Sequence, residues 1–271
     1  MNKKATQDEP RFKKHYVHNY ILDPYHELTV NIIGCGGTGS QVLTSLGRMN
    51  YALKKLGHPG LFVTAYDGDI VTGANCGRQL FSEQEIGANK AETLISKLNF
   101  FFGTKWESVS DFYNEESDRA NITISCVDTA KARLLVRKSL EKSVITGYGN
   151  DETRAYYWLD MGNLADRGQV VLGTTPKHPA PQPKKRNDVT GTLPDVTELF
   201  DLKAVKEKDQ GPSCSLAEAL SKQDLFINST IANAGMAILW KMFSIGYLDV
   251  QGAFLNLTTM QMNPIKITGK E

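Results

Sequence analysis

The stretch from Leu28 to Gln41, "LTVNIIGCGGTGSQ", constrains the fold of this chain more than any other. Its first six residues form an apolar, β-branched run of strand length, and the glycines after Ile33 stop it. Beyond them "SQVLTSLGRMNYALKKLG" carries apolar residues at helical spacing and ends near Gly57 and Pro59. Gly34, Gly36 and Gly39 therefore fall as G-x-G-x-x-G between a strand and a helix. That arrangement permits a tight turn and aims backbone N–H groups at a phosphate. The same pattern also fits a glycine turn that only closes a strand on a helix.

The alternation continues downstream. "LFVTAYD" reads as a second strand, "NKAETLISKLNFFFG" as a helix, "SVSDFY" and "NITISCVD" as strands, and "AKARLLVRKSLEK" as a helix. Strands alternating with helices predict right-handed crossovers and a parallel sheet. After residue 144 short strand candidates ("VITGYG", "AYYWLDMG", "GQVVLG") follow one another with turns between, which predicts an antiparallel section. The expected fold is α/β and Rossmann-like: a mixed sheet, parallel in its N-terminal part and antiparallel in its C-terminal part. A helix around "LAEALSKQ", another over residues 227–243 and a last strand pair near "GAFLNLTTMQMNPIKI" complete it. One domain is expected over residues 1–271, with an N-terminal extension over 1–27. Thr174 to Gln210 holds five prolines, many charges and no sustained apolar period, and reads as a long mobile loop.

Composition narrows the function classes. The 31 lysines and arginines nearly balance 30 aspartates and glutamates, so nothing points to a nucleic-acid partner, and an anionic ligand must be held locally. The N-terminus lacks an apolar signal core, and the apolar stretch after Asp224 is broken by Asn228, Asn233 and Lys241. A cytoplasmic protein without a membrane span is expected. Cys35, Cys76, Cys126 and Cys214 form no C-x-x-C pair, so no zinc is expected, and Cys35 and Cys126 read as small buried hydrophobes.

Asp67 ends the second strand, where a carboxylate can accept from the hydroxyls of a ribose, although further along than the dinucleotide fingerprint has it. The segment after it, "DGDIVTGANCGRQLFSEQEIGANKAETL", carries a specific resemblance. "GCGGTGS", "DGDIV", "NCGRQ" and "IGANK" stand in the order of the blocks of the ThiF/MoeB/HesA family, the adenylating enzymes related to the ubiquitin-activating enzymes. "CVDTAKAR", with Asp128 and Arg133, resembles a fifth block, and the likeness runs from about Val30 to Gly173, more loosely through "PSCSLAEALSKQDLFIN". The layout also resembles the ThiF-related proteins of bacterial cassettes that hold a ParB-related protein and a ubiquitin-like partner.

The resemblance implies ATP and Mg²⁺ as cofactors and adenylation of the C-terminal glycine of a small ubiquitin-like or sulfur-carrier protein. It implies nucleotide binding at Gly34, Gly36, Gly37, Gly39, Asp67, Asn75, Arg78 and Lys90, metal binding at Asp128, catalytic roles for Arg78, Lys90, Asp128 and Cys214, and a homodimer. The chemistry of the residues agrees. Arg78 is a rigid fork and Lys90 a mobile point charge for phosphates. Asn75 hydrogen-bonds without adding charge, and Asp128 at a strand's carboxyl end suits Mg²⁺. Each has a plainer reading: Arg78 and Lys90 as a solvated face, Asp128 as a helix N-cap, Cys214 as a half-buried thiol before a helix. Asp69 reads as a loop former and Gln79 as loop support. The sequence departs from the family where "HYVHNYILD" lacks the R-x-N-R-Q arginine, where zinc cysteines are missing, and where Thr129 replaces an asparagine. The alternatives are an NAD-dependent oxidoreductase and a non-catalytic nucleotide-binding scaffold.

Overall fold

The computed structural model describes residues 12–142, 151–176, 188–204, 217 and 221–268. In chain order the elements are β1 (His15–Tyr16), α1 (Asn19–Leu22), β2 (Leu28–Ile33), α2 (Gly37–Lys55), β3 (Leu61–Tyr66), α3 (Lys90–Phe102), β4 (Glu107–Val109) and β5 (Ile122–Ser125). There follow α4 (Ala130–Lys142), β6 (Tyr157–Asn163), β7 (Arg167–Thr174), α5 (Val196–Leu199), α6 (Ile227–Ile245), β8 (Tyr247–Leu248), β9 (Val250–Asn256) and β10 (Gln261–Lys266). β2 and α4 coincide with the runs read from the sequence. The predicted strand "VITGYG" and half of "LAEALSKQ" lie outside the described residues.

Eight strands form one sheet in the order β10-β9-β7-β6-β5-β2-β3-β4. β4, β3, β2, β5 and β6 run parallel, whereas β7 is antiparallel to both β6 and β9, and β10 to β9. The expected mixed sheet is present. From β2 the chain steps outward through β3 to β4, then returns to the other side of β2 as β5, so the strand order reverses beside the carboxyl ends of β2 and β5. Open α/β sheets form a ligand crevice at such a reversal. β2 is buried along nearly its whole length, the pattern of a parallel strand covered on both faces.

On one face α2 packs against both α3 and α6. Gly47 of α2 makes room for the Phe102 ring, and Gly235 of α6 for the Met161 side chain; a Cβ at either would overlap it. The buried Asn228 and the covered face of α6 agree with its reading as a core helix, and among the described residues no helix is long and apolar enough to cross a membrane.

The segment 174–210 differs from its reading as a loop without structure. Thr174 still belongs to β7, and residues 188–204 hold α5 and the buried Leu193 and Val196. Each such burial stabilises the anchored segment by about 2 kcal/mol. Asp195 caps α5 by accepting from the Thr197 and Glu198 N–H groups, and its other carboxylate oxygen pairs with Arg137 of α4. These anchors are too few and too widely spaced to register as a period. Residues 177–187 and 205–210 lie outside the described residues.

The N-terminal extension is tied in from Lys13 onward. β1 pairs with β8, Lys14 exchanges backbone hydrogen bonds with Asp188 and Thr190, and Val17 and Ile21 are buried.

Candidate active site

The glycine turn sits at the strand-order reversal. The Gly34 N–H donates to Tyr66 O of β3 at 2.9 Å, and its φ of 89° is one that glycine adopts without strain. A Cβ at Gly34 would stand 2.8 Å from Cys126 O, one at Gly37 2.6 Å from the Asn228 amide, and one at Gly39 would overlap Gly34 O. Three of the four glycines read as ligand-binding are thus already required by the chain's approach to itself. Gly36 is the exception: nothing but Gln79 comes within 4 Å of its Cβ position, the nearest atom 3.9 Å away. Gly36 is also the N-cap of α2 and caps no N–H with a side chain, so the first turn of a 19-residue helix carries no side-chain cap.

Asp67 ties β3 to this turn. One carboxylate oxygen accepts from Cys35 N–H at 2.6 Å and the other from Asp69 N–H at 2.8 Å. Burial pushes its pKa up, opposed by those two N–H groups and by nearby Lys90. A ribose meeting Asp67 finds one lone pair of each oxygen already engaged. Lys90 opens α3 after the N-cap Asn89, is buried, and reaches Asp69 Oδ2 at 2.9 Å. It is therefore no solvated surface cation, and two of its three N–H donors remain for an anion. Asp69 also accepts from Lys90 N–H through its backbone carbonyl, so its loop meets α3 through main chain and side chain alike.

The third wall is the loop over residues 72–80. Asn75 spends its side-chain oxygen on the N–H and hydroxyl of Thr72, at 2.8 and 3.0 Å. Arg78 donates from Nη1 to Gln223 Oε1 at 2.8 Å, while its Nε is buried with no partner. Burial lowers the guanidinium pKa from its ordinary value. Gln79 is buried beside Gly36, and its Oε1 likewise has no partner. Two adjacent residues thus present one orphaned donor and one orphaned acceptor. Each costs about 1–3 kcal/mol while unsatisfied, a cost that a ligand with matching groups removes.

The fourth wall follows β5. Thr129 Oγ1 accepts from Ala132 N–H at 3.1 Å and caps α4, so the cap role considered for Asp128 falls to Thr129. The Asp128 carboxylate is exposed and makes no hydrogen bond or ion pair among the described residues. The Arg133 side chain is buried and bonded within the protein. Its Nε lies 3.1 and 3.0 Å from the two oxygens of Asp160, and its Nη2 donates to Val127 O at 2.6 Å. Asp160 also accepts from Ser125 Oγ, which accepts from Trp158 Nε1. Arg133 and Asp160 thereby fix the turn that presents Asp128.

Sequence reasoning missed Asp160, Gln223, Asn228 and Thr38 as parts of this site. A carboxylate inside "AYYWLDMG" and an asparagine inside an apolar helix were the signals available. Burial pushes the Cys35 and Cys126 thiols up; Cys35 is fully buried, as read, whereas Cys126 is only partly buried against the same core. Among the described residues no group of three or more His, Cys, Asp or Glu stands ready to hold a metal. Cys214 lies outside them.

The ThiF family model matches residues 22–269. No curated protein sequence matches the chain. Among solved structures, E. coli MccB is similar over 90% of this chain and 63% of its own, at 15% identity and a TM-score of 0.57. MccB with AMPCPP and MccA is similar over 90% of this chain and 64% of its own, at 16% identity and a TM-score of 0.55. PaaA is similar over 89% and 64%, at 12% identity and a TM-score of 0.53. The chain thus spans less than two thirds of the length of these proteins, and the likeness to them is one of fold. With the family match covering nearly all of the sequence and its blocks gathered at the carboxyl ends of β2, β3 and β5, this chain belongs to the ThiF family.

Proposed function

We propose that this protein is an ATP-dependent adenylyltransferase that activates the C-terminal carboxylate of a small ubiquitin-like or sulfur-carrier protein. The observation that carries the reading is the open Gly36 at an uncapped helix start, faced by Gln79 and followed in the same loop by the orphaned Nε of Arg78. In adenylation a carboxylate oxygen bonds to the α-phosphorus as the bond to pyrophosphate breaks, and the electron pair leaves with pyrophosphate. No side-chain base is needed, so the protein's task is positioning and stabilising charge. The first turn of α2 receives phosphate oxygens, Arg78 supplies a fork and Lys90 an ammonium. Asp128, exposed and free of the α4 cap, fits a cation that takes one or two carboxylates and completes its shell with phosphate oxygens and water. Mg²⁺ held there would neutralise phosphate charge.

The similar MccB complex with both AMPCPP and MccA supports a site that takes a nucleotide and a second molecule together. Family membership supports this reading over the NAD-dependent oxidoreductase. The non-catalytic scaffold is separated from it by ATP–pyrophosphate exchange, measured with candidate carriers ending in glycine. Exchange that needs the carrier is expected; ATP binding without exchange under any carrier would overturn the enzyme reading. Two finer parts belong to the proposal. The protein acts as a homodimer, which light scattering at micromolar concentration checks. Cys214 accepts the activated carrier, its thiolate bonding to the carbonyl carbon of the adenylate as AMP leaves with the electron pair, in which case Cys214→Ser removes a thiol-sensitive adduct while exchange persists.

A further inference from the structure

Gln223 stands just before α6, outside the five blocks that carry the family resemblance, yet it links two walls of the site. Its Oε1 lies 2.8 Å from Arg78 Nη1 and 3.1 Å from Asn228 Nδ2. Arginine has no acceptor, so the Gln223 atom facing it must be the oxygen. That oxygen draws the Asn228 NH₂ toward itself, which turns Asn228 Oδ1 to Thr38 Oγ1 at 3.0 Å. Asn228 also lies against Gly37, where a Cβ would stand 2.6 Å from its amide. One oriented chain, Arg78 to Gln223 to Asn228 to Thr38, therefore runs from the loop cation to the first turn of α2.

From this we infer that Gln223 is a positioning residue for nucleotide binding: it holds the Arg78 guanidinium at a fixed distance from the N-terminus of α2, so that both meet one polyphosphate. The inference rests on the nucleotide site proposed above. An arginine side chain loses much rotamer freedom when it is ordered. With Nη1 anchored, that ordering is complete before a ligand arrives, and the unpartnered Nε is left as a donor. Lys90 is tied separately, to Asp69 on another wall.

The test is a double-mutant cycle on ATP affinity, measured by calorimetry with the whole chain. Gln223→Met keeps the side-chain length and removes the acceptor. In the unaltered background it should weaken ATP binding on the order of tenfold, the scale of one hydrogen bond to a charged group. In an Arg78→Ala background, or Arg78→Lys if alanine leaves binding too weak to measure, the same change should alter affinity by less than about twofold, because Gln223 acts through Arg78. An equal loss in both backgrounds would mean general support of the fold and would overturn the inference. So would unchanged affinity in the first. Failure of the unaltered chain to bind ATP would overturn the nucleotide site itself, and this inference with it.

Discussion

Arg133 and Asp160 are joined through both carboxylate oxygens, with Arg133 Nε 3.1 Å from Oδ1 and 3.0 Å from Oδ2, and both side chains are buried. The pair spans α4 and β6, and the Arg133 Nη2 bond to Val127 O extends it to the turn carrying Asp128. Removing one partner leaves the other charged and buried without its match. Arg133→Met should destabilise the fold by about 3–5 kcal/mol in urea unfolding. A loss under about 1 kcal/mol would show that the pair does not hold this turn.

The four glycines of the turn should separate by substitution. Gly39→Ala sets a Cβ into the Gly34 carbonyl, where only backbone movement gives relief, and should cost at least about 3 kcal/mol or prevent folding. Gly36→Ala meets open space and costs only what alanine loses at a φ of −75° and ψ of −142°, about 1–3 kcal/mol, so its melting temperature should fall clearly less than that of Gly39→Ala. Its ATP affinity should nevertheless fall, because the methyl group stands where a phosphate would. Equal thermal losses for the two variants would refute this account of the turn.

Asp128 and Thr129 should part in the same way. Asp128→Ala should leave the melting temperature unchanged and reduce carrier-dependent pyrophosphate exchange about a hundredfold or more. Thr129→Ala removes the α4 cap and should cost about 1 kcal/mol of stability with a smaller effect on exchange. Full exchange by Asp128→Ala would remove it from the active site.

His15 sets a pH dependence. Its ring lies within hydrogen-bond distance of Tyr157 OH at 2.9 Å and Thr190 O at 3.2 Å, and burial pushes its pKa down from 6.5 to about 4, against the opposing Thr190 carbonyl. The unfolded chain therefore takes up a proton as pH falls through 6.5, while the folded chain resists until about 4. The neutral ring's contribution is present above pH 6.5 and is lost toward pH 4, by up to roughly 3 kcal/mol. The stability difference between the unaltered chain and His15→Gln should shrink across that window in urea titrations at successive pH values. A difference independent of pH would place the dependence elsewhere.

Local patterns in the residues marked the longer strands and helices, their alternation and the loops that bear the chemistry, but not the short β1, α1, α5 and β8. Apolar periodicity and glycine punctuation are local consequences of burying one face, so the run over residues 28–33 and the helix over 130–142 read directly, as did the glycine turn between strand and helix. Which side chains meet depends on packing between segments far apart in the chain. Arg78 and Gln223 are 145 residues apart, and Thr38 and Asn228 190 apart. Nothing local chooses Thr129 over Asp128 as the cap, or shows that three glycines serve the chain's own packing and only Gly36 stays open. A single strand or helix pattern records how much of a segment is buried but not against what. Hydrogen-bond partners, orphaned atoms and the anchoring of residues 188–204 arise only when strands far apart in sequence lie side by side.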